Sequence, residues 1–316
     1  MSALGAAYIG LDVGGTFLKG ARIDADGTVL ARLHEPIRKG TSAEILGQMA
    51  GAVESLEKGA GPCLAVGVGV PGIVEMTRGR VRSAPNVPAL DGLKVAEELE
   101  ARTGRAAFAE NDANAAALAE AWLGAGRAAS HVLYVTLGTG VGGGLVFDGR
   151  IWMGRNGYAG EIGHIQVEPD GHPCGCGSWG CLETIAGVPG WARRAEALLA
   201  AGRSSSLIGR SPLDPQVIVE AARGDDAVAL EVVDGAARAI GVGVAAVLDM
   251  LNVDRVVVGG GVAAAGFFLL ERITEEARRR TFPHVFADVT FRLAELGADA
   301  GVVGASRVGM IGVGNG

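Results

Sequence analysis

The sequence predicts an α/β protein built from two similar lobes, and three observations predict it. The 316-residue chain is 49% hydrophobic and holds 52 glycines, too many for helix alone, and they fall at turns between Val/Ala-rich runs. A pattern of strand, glycine turn, strand, Asp-Gly turn and strand occurs twice, beginning near Tyr8 and again near His131. Order, turn type and apolar character recur together, which reads as a duplication. Between and after these repeats, helical spacing alternates with short apolar runs of strand length. The length allows two medium domains and a large core.

The elements follow in order. "AYIGLDVGG", "TFLKGARID" and "TVLARLHEP" make a three-stranded meander joined by a glycine turn and an "ADG" turn. A helix is predicted from about Thr41 to Lys58, because "TSAE" supplies an N-cap and an acid three residues on. "CLAVGVGVPG" is a continuous apolar run ending in Pro-Gly, the mark of a buried central strand. "LKVAEELEARTG" is an amphipathic helix stopped by glycine, "AAFAEND" a short strand and "ANAAALAEAWLG" a helix. The opening pattern then returns as "HVLYVTLGTG", "VGGGLVFDG" and a third strand begun by "RIWMG". After the cysteine-rich segment come three helical stretches, a strand "RVVVGGG", a helix from about Ala265 to Arg280, a strand "DVTFRLAEL" and a closing helical segment.

Charge and composition exclude several classes of partner. Lys and Arg total 28 against 35 Asp and Glu, a formal charge of −7, which argues against a nucleic-acid backbone. Backbone amides rather than net charge can still hold a small anion. The N-terminus has no basic stretch of a signal peptide, and the uncharged run Val256–Leu270 is short and broken by glycine. No membrane span is expected, and the expected compartment is the cytoplasm. There, four cysteines are reduced thiols or metal ligands rather than disulfides.

Three of those cysteines lie together. Cys174, Cys176 and Cys181 follow a C-x-C-x4-C spacing, with His164 ten residues upstream. Three thiolates and an imidazole satisfy a tetrahedral zinc ion, and four protein ligands close the site, making the metal structural. Glycines at 175, 177 and 180 let the chain curl around so small a centre. His172 competes for the fourth position, but its nearness to Cys174 would strain the loop. Cys63 reads as core packing inside a buried strand.

Two glycine turns, "DVGGTFLKG" and "LGTGVGGG", join strands and match no Walker or dinucleotide pattern. Their amides, at Gly14, Gly15, Gly138 and Gly140, can approach phosphate oxygens, with Thr16 and Thr139 adding hydroxyl donors. Asp12 is placed to hold a hydrated magnesium ion, Lys19 to meet phosphate, and Gly260 and Gly261 to lie beneath a base. A nucleotide lying between the two lobes is the simplest ligand for this set. "ENDAN" puts Asn111 and Asp112 where a strand ends and a helix begins. Capping explains one of the two. An acid there can also accept a hydroxyl proton as that hydroxyl attacks phosphorus. Asn86, in "PNVP", either touches substrate or caps its turn.

"GLDVGGTFLKGARID", "GVPGIV", "SAPNVPALDG", "ENDANAAALAE", "LGTGVGGGLVFDG", "GEIGHI" and "CGCGSWGCLE" together resemble the ROK family. That family comprises bacterial sugar kinases and related transcriptional repressors of the actin/hexokinase superfamily. The likeness runs from about Tyr8 to Gly309, most specifically in the cysteine motif and "GEIGH". It implies a two-domain actin/hexokinase-like (ribonuclease H-like) α/β fold with a duplicated β-meander/helix core. The implied small domain covers 1–113, completed by about 300–316, and the large domain covers 114–299 and carries zinc. It implies an ATP- and Mg2+-dependent kinase acting on the 6-hydroxyl of a hexose, D-glucose first, with a structural Zn2+. Asp112 matches the family's base. Gly72, Asn111, Asp112, Glu161, His164 and Glu183 match its sugar-contacting positions, and His164, Cys174, Cys176 and Cys181 its zinc ligands. N-acetylglucosamine, N-acetylmannosamine or fructose are alternative sugars, and polyphosphate an alternative donor. A repressor is disfavoured because the first phosphate strand begins near Tyr8, leaving no room for a helix-turn-helix domain. The resemblance implies a homodimer, with a tetramer as the alternative.

Overall fold

Alternation along a strand puts Ile9, Leu11 and Val13 on one face of the opening strand and Tyr8, Gly10 and Asp12 on the other. In the computed structural model, which describes residues 6–75 and 80–314, both faces are covered. The chain divides into two compact units. One holds the residues up to Ala128, Gly144–Gly160 and those from Leu296 onward, and the other holds Ala129–Gly143 and Glu161–Glu295. The outer limits expected for the small domain, 1–5 and 315–316, lie outside the described residues.

In the first unit, β1 (Ala7–Val13), β2 (Phe17–Asp24) and β3 (Val29–Pro36) form the expected antiparallel meander. Helix α1 (Ser42–Glu57) starts on a capping box. The Thr41 hydroxyl accepts from the Glu44 N–H, and Glu44 Oε2 accepts from the Thr41 N–H at 2.8 Å. Strand β4 (Ala65–Val70) has every residue buried. It pairs in parallel with β1, which a strand covered on both faces allows. Cys63 lies two residues before β4 rather than within it; it is buried in the core, and burial pushes its thiol up to about 12. A hairpin, β5 (Ile73–Glu75) with β6 (Arg80–Ser83), follows. Helix α2 (Val95–Thr103) stops at Gly104 in the left-handed conformation (φ 65°). Strand β7 (Ala106–Asn111) pairs in parallel with β4, and α3 (Asp112–Trp122) leaves from its end. The sheet order is β3-β2-β1-β4-β7. The boundary expected at residue 113 falls one residue into α3, which stays with the first unit.

One face of this sheet packs Ile9, Leu11, Val66, Val68 and Val70 against Leu46, Met49 and Val53 of α1 and Leu99 of α2. The other face meets the closing helix, Ala300–Gly314, almost backbone to backbone. A Cβ on Gly10 would lie 1.9 Å from the Val302 carbonyl oxygen, and one on Gly67 1.7 Å from that of Ala305. Gly304, on the helix, would strike the Ala115 oxygen of α3 at 1.7 Å. The small residues of this surface are therefore a packing requirement, and they lock α3 to the helix that covers the sheet.

The second sheet repeats the plan. Strands β8 (His131–Leu137), β9 (Val141–Phe147) and β10 (Arg150–Ile151) stand where the first meander stood. After the cysteine segment come α4 (Leu182–Ala186), α5 (Val188–Ala200), α6 (Pro215–Arg223) and the 25-residue α7 (Ala227–Leu251). Next follow β11 (Arg255–Gly259), α8 (Phe267–Arg278), α9 (Pro283–Ala287) and β12 (Thr290–Leu293). Strand β11 pairs in parallel with both β8 and β12. The order β10-β9-β8-β11-β12 matches that of the first sheet position for position, so the duplication read from the sequence is a duplication of topology. The division between units falls inside β9, after Gly143. Among the described residues no helix is long and apolar enough to cross a membrane.

Candidate active site

In parallel α/β sheets, ligands gather where strands end at their carboxyl side, because turns there leave amides and helix N-termini exposed. The sequence-predicted residues occupy those ends. In the first unit, Asp12 and Gly14 close β1, Gly72 follows β4, and Asn111 and Asp112 span the β7–α3 junction. In the second, Gly138, Thr139 and Gly140 follow β8, while Gly260 and Gly261 follow β11.

The β1–β2 turn is closed by the Gly14 N–H donating to the Phe17 carbonyl at 2.9 Å. Asp12 and Lys19 are directly opposite across the two strands. Burial raises the Asp12 carboxyl above its usual range, against the pull of the Lys19 charge. Its Oδ2 lies against Gly301, where a Cβ would come within 2.5 Å. Lys19 Nζ is 3.5 Å from the Ala298 carbonyl. Gly15 backs onto Asn86, whose carbonyl oxygen would lie 3.1 Å from a Cβ on Gly15, so the "PNVP" loop supports the first glycine turn.

At the β7–α3 junction the structure separates the two polar residues by role. Asn111 is the N-cap of α3, its Oδ1 accepting from the Asn114 N–H at 3.0 Å. Its Nδ2 donates to the Gly72 carbonyl at 2.8 Å and approaches Asp112 Oδ1 at 3.2 Å. Gly72 holds φ 98°, and a Cβ there would lie 2.0 Å from the Ser83 oxygen, so only glycine presents its carbonyl to Asn111. Asp112, relieved of capping, is the first residue of α3, with Oδ1 accepting from the Ala113 N–H at 2.8 Å.

In the second unit the cysteine segment and the β8–β9 turn are one construction. His164, Cys174, Cys176 and Cys181 bring their donor atoms within 4.8 Å of one another. Cys176 and Cys181 Sγ are 3.7 Å apart, and Cys174 Sγ is 3.6 Å from His164 Nδ1. The edges of a zinc tetrahedron with ordinary bond lengths are about 3.8 Å for two sulfurs and about 3.6 Å for sulfur and nitrogen. The residues therefore fit the metal, and His164 rather than His172 completes the set. Gly177 (φ 93°) and Gly180 (φ 58°) supply the left-handed turns, while Gly175 has no positive φ.

His164 Nε2 faces away from the thiols, 4.0 Å from Glu161 Oε2. Partial burial raises the Glu161 carboxyl; His164 opposes the shift and the Glu183 charge adds to it. Glu183, in the first turn of α4, has Oε1 3.9 Å from Cys174 Sγ. Its Oε2 accepts from the Val141 N–H at 3.1 Å, a contact that a Cβ on Gly140 would block at 2.1 Å. The Val188 N–H, opening α5, donates to the Gly138 carbonyl at 3.0 Å. Gly260 (φ 84°) closes on the same place, a Cβ there falling 2.3 Å from the Leu137 oxygen. Gly261 starts a short 3-10 turn beyond it. The tie between Glu183 and the β8–β9 turn was not foreseen from sequence; the segments are some forty residues apart and no spacing rule connects them.

Sequence reasoning also passed over Glu110. It is 2% exposed, the buried member of a polar run whose next two residues, Asn111 and Asp112, are half-buried.

Comparison with known proteins agrees with this construction. The ROK family model matches residues 8–309. A glucokinase of Halalkalibacterium halodurans is 40% identical over 307 residues, 94% of this chain and 93% of that protein. The ROK hexokinase of Thermus thermophilus superposes with a TM-score of 0.86 at 36% identity, covering 98% of this chain and 100% of its own. A ROK family glucokinase of Streptomyces griseus, solved in complex with glucose and AMPPNP, gives 0.78 at 34%, covering 97% and 100%. The duplicated sheets are those of the actin/hexokinase-like fold, and the chain belongs to the ROK family.

Proposed function

We propose that this protein is an ATP-dependent glucokinase, transferring the terminal phosphoryl group of ATP to the 6-hydroxyl of D-glucose. The observation that carries the reading is the β7–α3 junction, where Asn111 takes the cap and Asp112 is left as an acid at a strand's carboxyl end. The glucokinase relative and the solved relative holding glucose and AMPPNP support the choice of sugar and donor.

In this reading Asp112 accepts the O6 proton as O6 bonds to the γ-phosphorus and the bond to the ADP oxygen breaks. The proton moves as attack proceeds, so an ionised aspartate suffices. Asn111 fixes the turn that presents Asp112 and ties it to the Gly72 carbonyl. The amides of Gly14 and Gly15 and the hydroxyl of Thr16 serve phosphate oxygens, as do Gly138, Thr139 and Gly140 in the second unit, with Gly260 and Gly261 toward the base. Lys19 lies beside Asp12, the candidate for holding hydrated Mg2+, an ion that neutralises phosphate charge when bound. Glu161, Glu183 and His164 Nε2 serve sugar hydroxyls, each carboxylate oxygen able to accept a hydroxyl hydrogen. Zinc at the four-ligand site would hold Nδ1 of His164, leaving Nε2 for the sugar. We further propose a cytoplasmic homodimer, the state the family resemblance implies.

The test is ADP formation with glucose, fructose, N-acetylglucosamine and N-acetylmannosamine, and with polyphosphate replacing ATP. Glucose with ATP is expected to give the highest kcat/KM, and preference for an acetamido sugar would displace glucose. Asp112→Asn is expected to lower kcat by about 10²–10⁴-fold with glucose affinity kept. That loss equals about 3–5 kcal/mol of transition-state stabilisation. Wild-type turnover in this variant would remove Asp112 from the chemistry.

A further inference from the structure

Glu110 stands one residue before the cap, on the face of β7 that also carries Phe108, opposite Gly69 of β4. Its carboxyl is buried, and one oxygen, Oε1, accepts two hydrogen bonds. They come from the Asn111 backbone N–H at 2.9 Å and from Asn114 Nδ2 at 3.0 Å. Both donors belong to the capped turn: Asn114 N–H is the group that Asn111 caps. Glu110 thus reaches the turn from beneath at the two residues flanking Asp112 and Ala113.

The arrangement is costly, which is why it carries information. Asn114 is 3% exposed, and its Oδ1 is buried with no hydrogen-bond partner among the described residues. An orphaned buried acceptor costs about 1–3 kcal/mol. A carboxyl buried this deeply would cost more still as an anion. A helix start needing only a cap already has one in Asn111, so packing alone does not call for two further buried polar side chains.

We propose that Glu110 is a positioning residue for phosphoryl transfer, holding the Asn111–Asn114 turn so that Asp112 stays aligned with the attacking hydroxyl. This rests on the reading of Asp112 as the base. Burial raises the Glu110 carboxyl above the usual glutamate range, against the two amide donors. That direction favours the neutral acid, the form that anchors the turn without placing a second negative charge near the base, where repulsion would raise the pKa of Asp112.

Because both bonds end on one oxygen, a glutamine carbonyl can replace it, whereas methionine of similar length cannot. Glu110→Gln is expected to keep kcat within about threefold, and Glu110→Met to lose about 10²-fold in kcat, the scale of a misplaced catalytic group. KM for glucose and for ATP should stay within about threefold in both, since neither substrate contacts Glu110 in this reading. Rates are taken per folded molecule, with the folded fraction from near-ultraviolet circular dichroism. A folded methionine variant with wild-type kcat, an equal loss in the glutamine variant, or a loss lying wholly in KM would each overturn the proposal. Should the methionine variant not fold, Asn114→Ala decides: a kcat about tenfold down at constant KM supports the role, and an unchanged kcat defeats it. Infrared difference spectra of wild type against Glu110→Gln, followed with rising pH, should keep a protonated carboxyl band above the pH at which a free glutamate loses it; loss of the band at the ordinary glutamate pH refutes the raised carboxyl. If wild type itself made no ADP with any hexose, the kinase reading would fail, a result distinct from all of these.

Discussion

Replacing Gly304 by alanine tests the idea that backbone contact, not side-chain packing, holds α3 in place. The new Cβ would lie 1.7 Å from the Ala115 carbonyl oxygen and 2.3 Å from its carbon. Ordinary contact begins near 3.4 Å, and both partners are helix backbone, which has no rotamer to give. The closing helix and α3 must separate by about 1.5 Å or more, and such overpacking costs about 1–3 kcal/mol, occasionally more. Alanine's helix preference over glycine returns about 1 kcal/mol, so the packing cost must exceed that to be seen. Gly47→Ala is the matched control. That glycine sits exposed in the middle of α1 of the same unit, with nothing within 4 Å of a Cβ. It should stabilise by about 0.5–1 kcal/mol. Urea unfolding of the two variants should therefore move in opposite directions. Because α3 begins at Asp112, one turn before Ala115, the displaced helix should also lower kcat, by as much as about 10²-fold for a 1 Å misplacement. Wild-type stability and kcat in Gly304→Ala would refute both the close approach and its link to the base.

Two further outcomes follow from the site. With zinc held by the thiol cluster as proposed, stripping the metal should free Glu183 from a fixed α4 and so loosen its bond to the Val141 N–H. The apparent Tm should fall and affinity for an ATP analogue, titrated without sugar, should drop severalfold; unchanged nucleotide affinity in the chelated protein would break that mechanical link. The second outcome concerns pH. The folded Glu110 carboxyl is raised, so its contribution is most favourable below the unfolded value of about 4.3 and is lost as pH rises through the folded value. Glu110→Gln does not titrate, so its unfolding free energy relative to wild type should climb over that interval and then level. A difference that stays flat with pH would mean that Glu110 is not raised.

What could be read in the sequence was what depends on near neighbours. "TSAE" announced a capping box, and Thr41 and Glu44 make both of its bonds. Gly104 stops α2 because only a left-handed residue ends a helix there cheaply. The cysteine spacing predicted a tetrahedral donor set, and the strand repeat predicted two sheets of one topology. What stayed hidden depends on distant partners. The closing helix carries glycines at 301, 304, 309, 312 and 314, poor helix formers that read locally as a brief segment. Gly304 is required because the backbone of Ala115 presses on it, and Gly309 because that of Gly67 does; at Gly301 and Gly312 a Cβ would meet the Asp12 and Phe108 side chains, and at Gly314 nothing lies within 4 Å. The third strand of the second meander shrank to Arg150–Ile151, since alternation alone does not say how many residues find a partner. Glu110 looked like one more acid in a polar run until its burial was known.

The two sheets also show why the chemistry can be shared out along so long a chain. A parallel strand covered on both faces cannot shift register without exposing apolar side chains, so its carboxyl end is a fixed point. Each unit sets its proposed site residues on such points: Asp12, Gly72 and Asp112 at the ends of β1, β4 and β7, and Gly138 and Gly260 at the ends of β8 and β11. The devices that hold them differ because the groups differ. Amides of a glycine turn need only a rigid turn, which Glu183 and the Val188 N–H supply at 138–141. A base needs direction as well as place, and its direction is set by the residues on either side. Asn111 fixes one side by capping α3 and binding Gly72, and Asn114 fixes the other from one turn along. Glu110 joins the two beneath the chain through one oxygen. Loss of Glu110 or Asn114 should therefore harm kcat before KM, whereas loss of the Glu183 brace should appear in nucleotide affinity as well as in the sugar affinity that its carboxylate serves. The two halves of the machinery can be told apart by which constant moves.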